Sequence, residues 1–150
     1  MNTYYAECDF NISAMGTAYI HGKTGIDKDI NFISRKILYN AAMVDIWVLL
    51  YENSIISSAG STIVPSINMN RMSLDAATFN IYLNSPFPIN DGNILSTNKL
   101  FNGLTLPVSA SDLTNGVERT LRKNEDYTLK IVNNTTAATT LTFNWLWREE

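Results

Sequence analysis

Thr140-Leu141-Thr142-Phe143-Asn144-Trp145-Leu146-Trp147 alternates without a break, so Leu141, Phe143, Trp145 and Trp147 share one face of an extended segment. Successive strand side chains point to opposite sides, which leaves Thr140, Thr142, Asn144 and Leu146 facing water or a neighbour. The stretch predicts a half-buried strand that closes the chain in its own core. Two tryptophans on one inward face bury on the order of 150 to 250 Å² each, which suits core packing better than a sugar-stacking platform.

The same two-residue period works backward through the sequence. Thr78-Phe79-Asn80-Ile81-Tyr82-Leu83 alternates, with Phe79, Ile81 and Leu83 on one face. Residues 16–20 and 30–38 read as early strands separated by a loop, His21-Gly22-Lys23-Thr24-Gly25. Residues 43–51 are apolar at nearly every position, as in a strand covered on both faces or a short buried helix, and Trp47, Val48 and Tyr51 favour the strand. Residues 54–61 read as a long connection, and Pro65 demotes residues 62–65 to an edge strand. Residues 94–101, 117–121, 127–132 and 138–147 complete the strands. Asn102-Gly103 and Asn115-Gly116 mark turns around an irregular segment containing Pro107.

Many short strands, no βαβ alternation and no fixed-period repeat predict an all-β, single-domain antiparallel β-sandwich of jelly-roll type. The expected division is an N-terminal arm over residues 1–15, extended or used in assembly contacts, and a sandwich over residues 16–150. A chain of 150 residues is long enough to bury one sizeable core. Hydrophobic residues make up 45% and charged residues only 17%, so the surface is built largely of Asn, Ser and Thr. Net charge −3 and a pI near 5.1 argue against a nucleic-acid partner, because phosphate contacts need clustered Lys and Arg. The richest apolar run carries Asp45 in its middle, so no membrane span is expected. The first residues lack the basic and apolar regions of a signal peptide, which implies synthesis and first folding in the cytoplasm.

Catalytic equipment is sparse. His21 is the one histidine and Cys8 the one cysteine, and Cys8 reads as a small hydrophobe. No zinc set can be assembled from them, and Asp27, Asp29 and Asp91 lack calcium-loop spacing and read as solvated acids. Asp45 is expected near solvent at a strand's start; the sharper alternative pairs it with Arg35 or Arg71. Asn133 and Asn134 each begin a glycosylation sequon and read more simply as a turn. No catalytic, cofactor-binding or metal-ligating residue is therefore assigned, and no enzyme activity is expected.

Three stretches carry a resemblance: Ile46-Trp47-Val48-Leu49-Leu50-Tyr51-Glu52, then Ser57-Ser58-Ala59-Gly60-Ser61, then Val64-Pro65-Ser66-Ile67-Asn68-Met69-Asn70-Arg71. With the turn and strand from Leu121 to Asn134 and the closing Phe143-Asn144-Trp145, their order resembles a family of small virion structural proteins of tailed bacteriophages. The resemblance implies a β-sandwich without an active site, most simply a capsid decoration or cement protein on the virion surface. Its partners would be further copies of itself, as a trimer, and the major capsid protein. The alternative is a carbohydrate- or receptor-binding module of a tail or head fibre, with exposed Tyr82 or Phe87 in contact.

Overall fold

A computed structural model describes residues 2–39, 44–102, 109–112 and 119–150, and its elements are twelve strands. They are β1 Asn2–Ile12, β2 Thr17–Lys23, β3 Ile30–Tyr39, β4 Val44–Glu52, β5 Thr62–Ile63, β6 Ser66–Asn68, β7 Asn80–Leu83, β8 Asn93–Asn102, β9 Ser109–Asp112, β10 Arg119–Leu121, β11 Asp126–Asn133 and β12 Thr139–Glu149. The turns expected at Gly103 and Asn115-Gly116 and the Pro107 segment lie outside the described residues.

Two antiparallel sheets pack face to face, as the alternation requires. The first runs β10-β3-β12-β1-β6, with β9 also on β3, and the second runs β5-β7-β2-β11-β4-β8. β12 sits inside the first sheet with Leu141, Phe143 and Trp147 fully buried and Trp145 nearly so. Trp147 stacks on Tyr4 at 5.9 Å and meets Phe79 of the other sheet edge-on at 5.6 Å, which joins the two layers. Deleting a ring of that size from a closed core costs about 3–5 kcal/mol.

The N-terminal arm is corrected by this structure. β1 lies between β12 and β6, paired with β12 from Asn2↔Glu149 through Ile12↔Thr139. Tyr4, Ala6 and Ile12 point into the core, with Cys8 and Phe10 packed against it. The segment is an interior strand, and removing it would strip β12 of one neighbour. His21 is corrected too: it belongs to β2, not to a loop.

A β-bulge resets the inward face of β3. Pairing with β12 shifts between Leu146↔Ser34 and Trp147↔Phe32, so Phe32 and Arg35 both turn inward although they are three residues apart. Arg35 is buried with its guanidinium over the Phe32 ring at 5.7 Å.

β4 and β8 are hairpin partners from Val44↔Asn102 to Glu52↔Asn93, yet residues 53–92 are inserted between them. This excursion leaves β4, crosses the outer side of the second sheet, and supplies β5 at that sheet's edge. It then passes through Val64 and Pro65 to become β6 at the edge of the first sheet, and returns as β7. Pro65 falls where the chain changes sheets, where its missing N–H disturbs no ladder. At the neck, Gly92 has φ 96°, and a Cβ there would lie 2.1 Å from the Glu52 carbonyl oxygen, so only glycine fits.

Candidate assembly surface

Among the described residues, the excursion carries most of the large apolar side chains that the fold leaves in water. Among the described residues, eight of the twelve large hydrophobic side chains that stand exposed belong to it: Ile55, Ile63, Ile67, Met69, Met72 and Leu74, then Phe87 and Ile89. Scattered exposed apolar residues are ordinary, but their concentration in one inserted segment makes it the candidate contact surface.

Local chemistry holds that segment firmly. The Asn68 side chain accepts from Asn70 N–H at 2.9 Å and donates to the Asp75 carbonyl at 2.9 Å. Asn70 repeats the device, its Oδ1 accepting from Met72 N–H at 3.1 Å. Asn2 Nδ2 reaches the Asp75 carboxylate at 3.0 Å, anchoring the loop to β1. Within this frame Met72 is 94% and Leu74 102% exposed. The Asn68-Met69-Asn70-Arg71 stretch thus builds a loop that presents apolar side chains. Gly60 has a matching role, since a Cβ there would lie 1.8 Å from the Leu83 carbonyl oxygen: the connection presses directly on β7.

Residues 53–61 and 84–92 also roof the outer face of the second sheet. Ser54 Oγ donates to the Asp91 carbonyl at 2.6 Å, and Ile55 N–H to the Asn90 carbonyl at 2.9 Å. Phe87 packs edge-on against Tyr19 at 5.1 Å, and Lys130 donates to Asp91 at 3.1 Å, a bond that raises the lysine's affinity for its proton. Beneath lie Tyr19, His21 and Thr128, all buried. His21 Nε2 meets Asp126 Oδ1 at 3.0 Å, and its ring stacks on Tyr82 at 5.6 Å. Burial lowers its pKa, against the Asp126 carboxylate, which pulls the other way. Nδ1 of His21 and Oγ1 of Thr128, on directly paired residues, have no hydrogen-bond partner. Ser85 Oγ, the nearby hydroxyl, accepts from His21 N–H and donates to the Tyr82 carbonyl, so it is held by backbone and is not poised as a nucleophile.

The remaining candidates fall out individually. Cys8 is half-buried, and burial, then Asp9 and Glu7, push its thiol up to about 12, far from a reactive thiolate. Asp45 is part-exposed at the start of β4 and pairs with Lys99 at 3.5 Å, not with Arg35 or Arg71. Asp29 Oδ1 accepts from Lys123 N–H at 2.8 Å, which gives this acid a turn-forming role. Among the described residues no cluster of His, Cys, Asp or Glu able to hold a metal gathers. Asn133 is wholly buried, donating to the Ser13 and Ala137 carbonyls and accepting from Thr135 N–H, so it shapes the corner as expected. Trp145 and Trp147 are core, Trp47 lies under the Lys99 ammonium at 5.4 Å, and Tyr82 is half-buried against His21; of the residues expected to stack a sugar, Phe87 alone stands well exposed. A cavity of about 40 Å³ between the sheets, lined by Ile20, Phe79, Leu121, Trp145 and the Arg35 head, holds a water or two at most.

Glu149 was passed over by sequence reasoning. Its buried carboxylate accepts from Thr78 N–H at 2.8 Å, Phe79 N–H at 3.0 Å, the Thr78 hydroxyl at 3.0 Å and Trp147 Nε1 at 3.3 Å. It pins the start of β7, and with it the returning limb of the excursion, to the closing strand. The parity that places Trp145 and Trp147 inward places Glu149 inward as well.

No helix among the described residues is long and apolar enough to cross a membrane. Comparison of the chain with protein-family models, with curated proteins and with solved structures returns no match.

Proposed function

We propose that this chain is a non-enzymatic structural protein of a tailed-phage virion: a decoration or cement protein that forms a cyclic trimer and binds the lattice of the major capsid protein. It is made in the host bacterial cytoplasm and resides on the capsid surface. The observation that carries the reading is the excursion, a rigid segment that turns Met72, Leu74, Phe87 and Ile89 to water on an otherwise neutral, polar sandwich. A lattice-bound oligomer needs two contact surfaces, one for its own copies and one for the lattice. The excursion offers apolar side chains in two places, on the loop beside β6 and on the roof over the second sheet. Many weak contacts suffice when subunits are linked, because each bound subunit raises the effective concentration of the next. Two of the stretches that carry the resemblance to the phage family, around Gly60 and at Asn68-Met69-Asn70-Arg71, lie in the excursion, which supports the same reading.

Electron cryo-microscopy of virions carrying the labelled protein tests this. Density repeating across the head supports decoration. Signal confined to the tail or fibres would overturn it in favour of a receptor- or glycan-binding module, for which Phe87 is the exposed aromatic.

A further inference from the structure

We propose that the surface from Ile67 to Asp75 is where copies of this chain meet one another. This deepens the assembling role proposed above by naming the contact, and it rests on features independent of any virion.

The backbone first excludes one kind of partner. Met69 N–H bonds to the Thr3 carbonyl at 2.8 Å, so residues 67 and 69 turn their polar groups toward β1 and only Ser66 and Asn68 turn theirs outward. Pro65 has no N–H, and Asn70 N–H is taken by the Asn68 side chain. An edge this short and interrupted is guarded against strand addition. The contact is therefore made by side chains.

Those side chains are apolar and already in place. Ile67 and Met69 share the outer face at the margin of the first sheet, and Met72 and Leu74 project from the adjoining loop. Because the Asn68 and Asn70 side chains have ordered the loop, docking loses little conformational freedom. From their exposures the four present on the order of 600 Å², against roughly 800 Å² per partner in a standard interface. Packed against a neighbouring copy, the patch reaches that size once its polar rim is included.

Charge selects a second copy as the occupant. The patch holds one cation, Arg71, and one anion, Asp75, both exposed and four residues apart. In a closed ring Arg71 of each copy can face Asp75 of the next, so neighbouring copies meet without like-charge repulsion.

Sedimentation of the purified full chain over a range of concentrations tests the contact. The unmodified protein is expected to self-associate. Met72→Lys with Leu74→Lys should give a monomer with unchanged melting, because both positions are fully exposed. Arg71→Asp alone should weaken association roughly tenfold or more, and Arg71→Lys, which keeps the charge, should leave it nearly intact. A protein that stays monomeric at every concentration, or an oligomer indifferent to the paired lysines and to the charge reversal, would overturn the proposal. A monomer that still decorates heads defeats this contact alone, and an oligomer absent from virions defeats the virion role alone.

Discussion

The two outer faces of the sandwich are built from the same alternation but end in opposite environments. On the first sheet the outward residues of β1 and β12 meet water and pair across strands, as in Thr142 donating to Asp9 at 2.7 Å and Thr140 donating to Asn11. On the second, the excursion lies over the sheet, so outward-pointing Tyr19, His21 and Thr128 are as buried as core residues. Roofing one face has two consequences. Polar groups beneath the roof lose water and must find partners. The roof in turn exposes Ile55, Phe87 and Ile89, so apolar surface moves outward to where another molecule can cover it.

The sharpest way to break the difference is to detach the excursion from the closing strand. Glu149→Ala leaves Thr78 N–H, Phe79 N–H and the Trp147 indole N–H without their acceptor, and a loss of about 3 kcal/mol is expected in urea unfolding. Glu149→Gln, which keeps one acceptor oxygen, should lose less. Equal stability of Glu149→Ala and the unmodified chain would show that the clamp does not hold the returning limb.

Gly60→Ala acts on the roof alone. Its Cβ collides with the Leu83 backbone, which cannot move without disturbing β7, so a cost of about 2 kcal/mol is expected. Hydrogen exchange should rise across residues 53–61 and at His21 and Thr128, while β1 and β12 keep their protection. Uniform loosening of both sheets would mean that the roof is part of the core and not a separable layer.

How far these features could be read from sequence depends on whether their causes are local. Parity along residues 140–147 is a property of neighbouring residues, and it placed Trp145 and Trp147 correctly; carried two residues further it also contained Glu149. Pro65 marked an edge because its missing N–H acts at one position. β1 was harder: Tyr4, Ala6, Cys8, Phe10 and Ile12 do alternate, but small Ala6 and Cys8 at its centre weaken the apolar signal and a chain end suggested an arm. His21 read as a loop residue because glycine follows it, whereas Gly22 is in strand β2, facing Phe79. The β4–β8 pairing joins residues on either side of a 53–92 insertion, and no local pattern encodes it. The roof follows from that pairing.

One substitution made on both faces tests the comparison most directly. Thr128→Val removes a hydroxyl that is buried without a partner and keeps its shape, so it should stabilise by about 1 kcal/mol. Thr142→Val removes an exposed hydroxyl bonded to Asp9 and should cost at most about 0.5 kcal/mol. Thermal unfolding that gave both the same sign would show that Thr128 is better solvated than its burial implies.

The smallest expected effect is one of pH, and it belongs to the roofed face alone. His21 takes up a proton less readily when folded than its ordinary value of 6.5, first because it is buried and then, to a lesser degree, because Lys23 lies near; the Asp126 carboxylate opposes both. As pH falls below 6.5, the unfolded chain binds a proton that the folded chain refuses, so the stability His21 confers is complete above that value and declines below it until the folded imidazole also titrates. Protonation would put a second N–H on Nδ1, which has no acceptor under the roof. The melting temperature should therefore decline between pH 7 and 5.5, and His21→Gln, which can still donate to Asp126, should flatten that decline. Gly60→Ala, by admitting water to the face, should flatten it too. A decline unchanged in both variants would place its origin outside the roofed face.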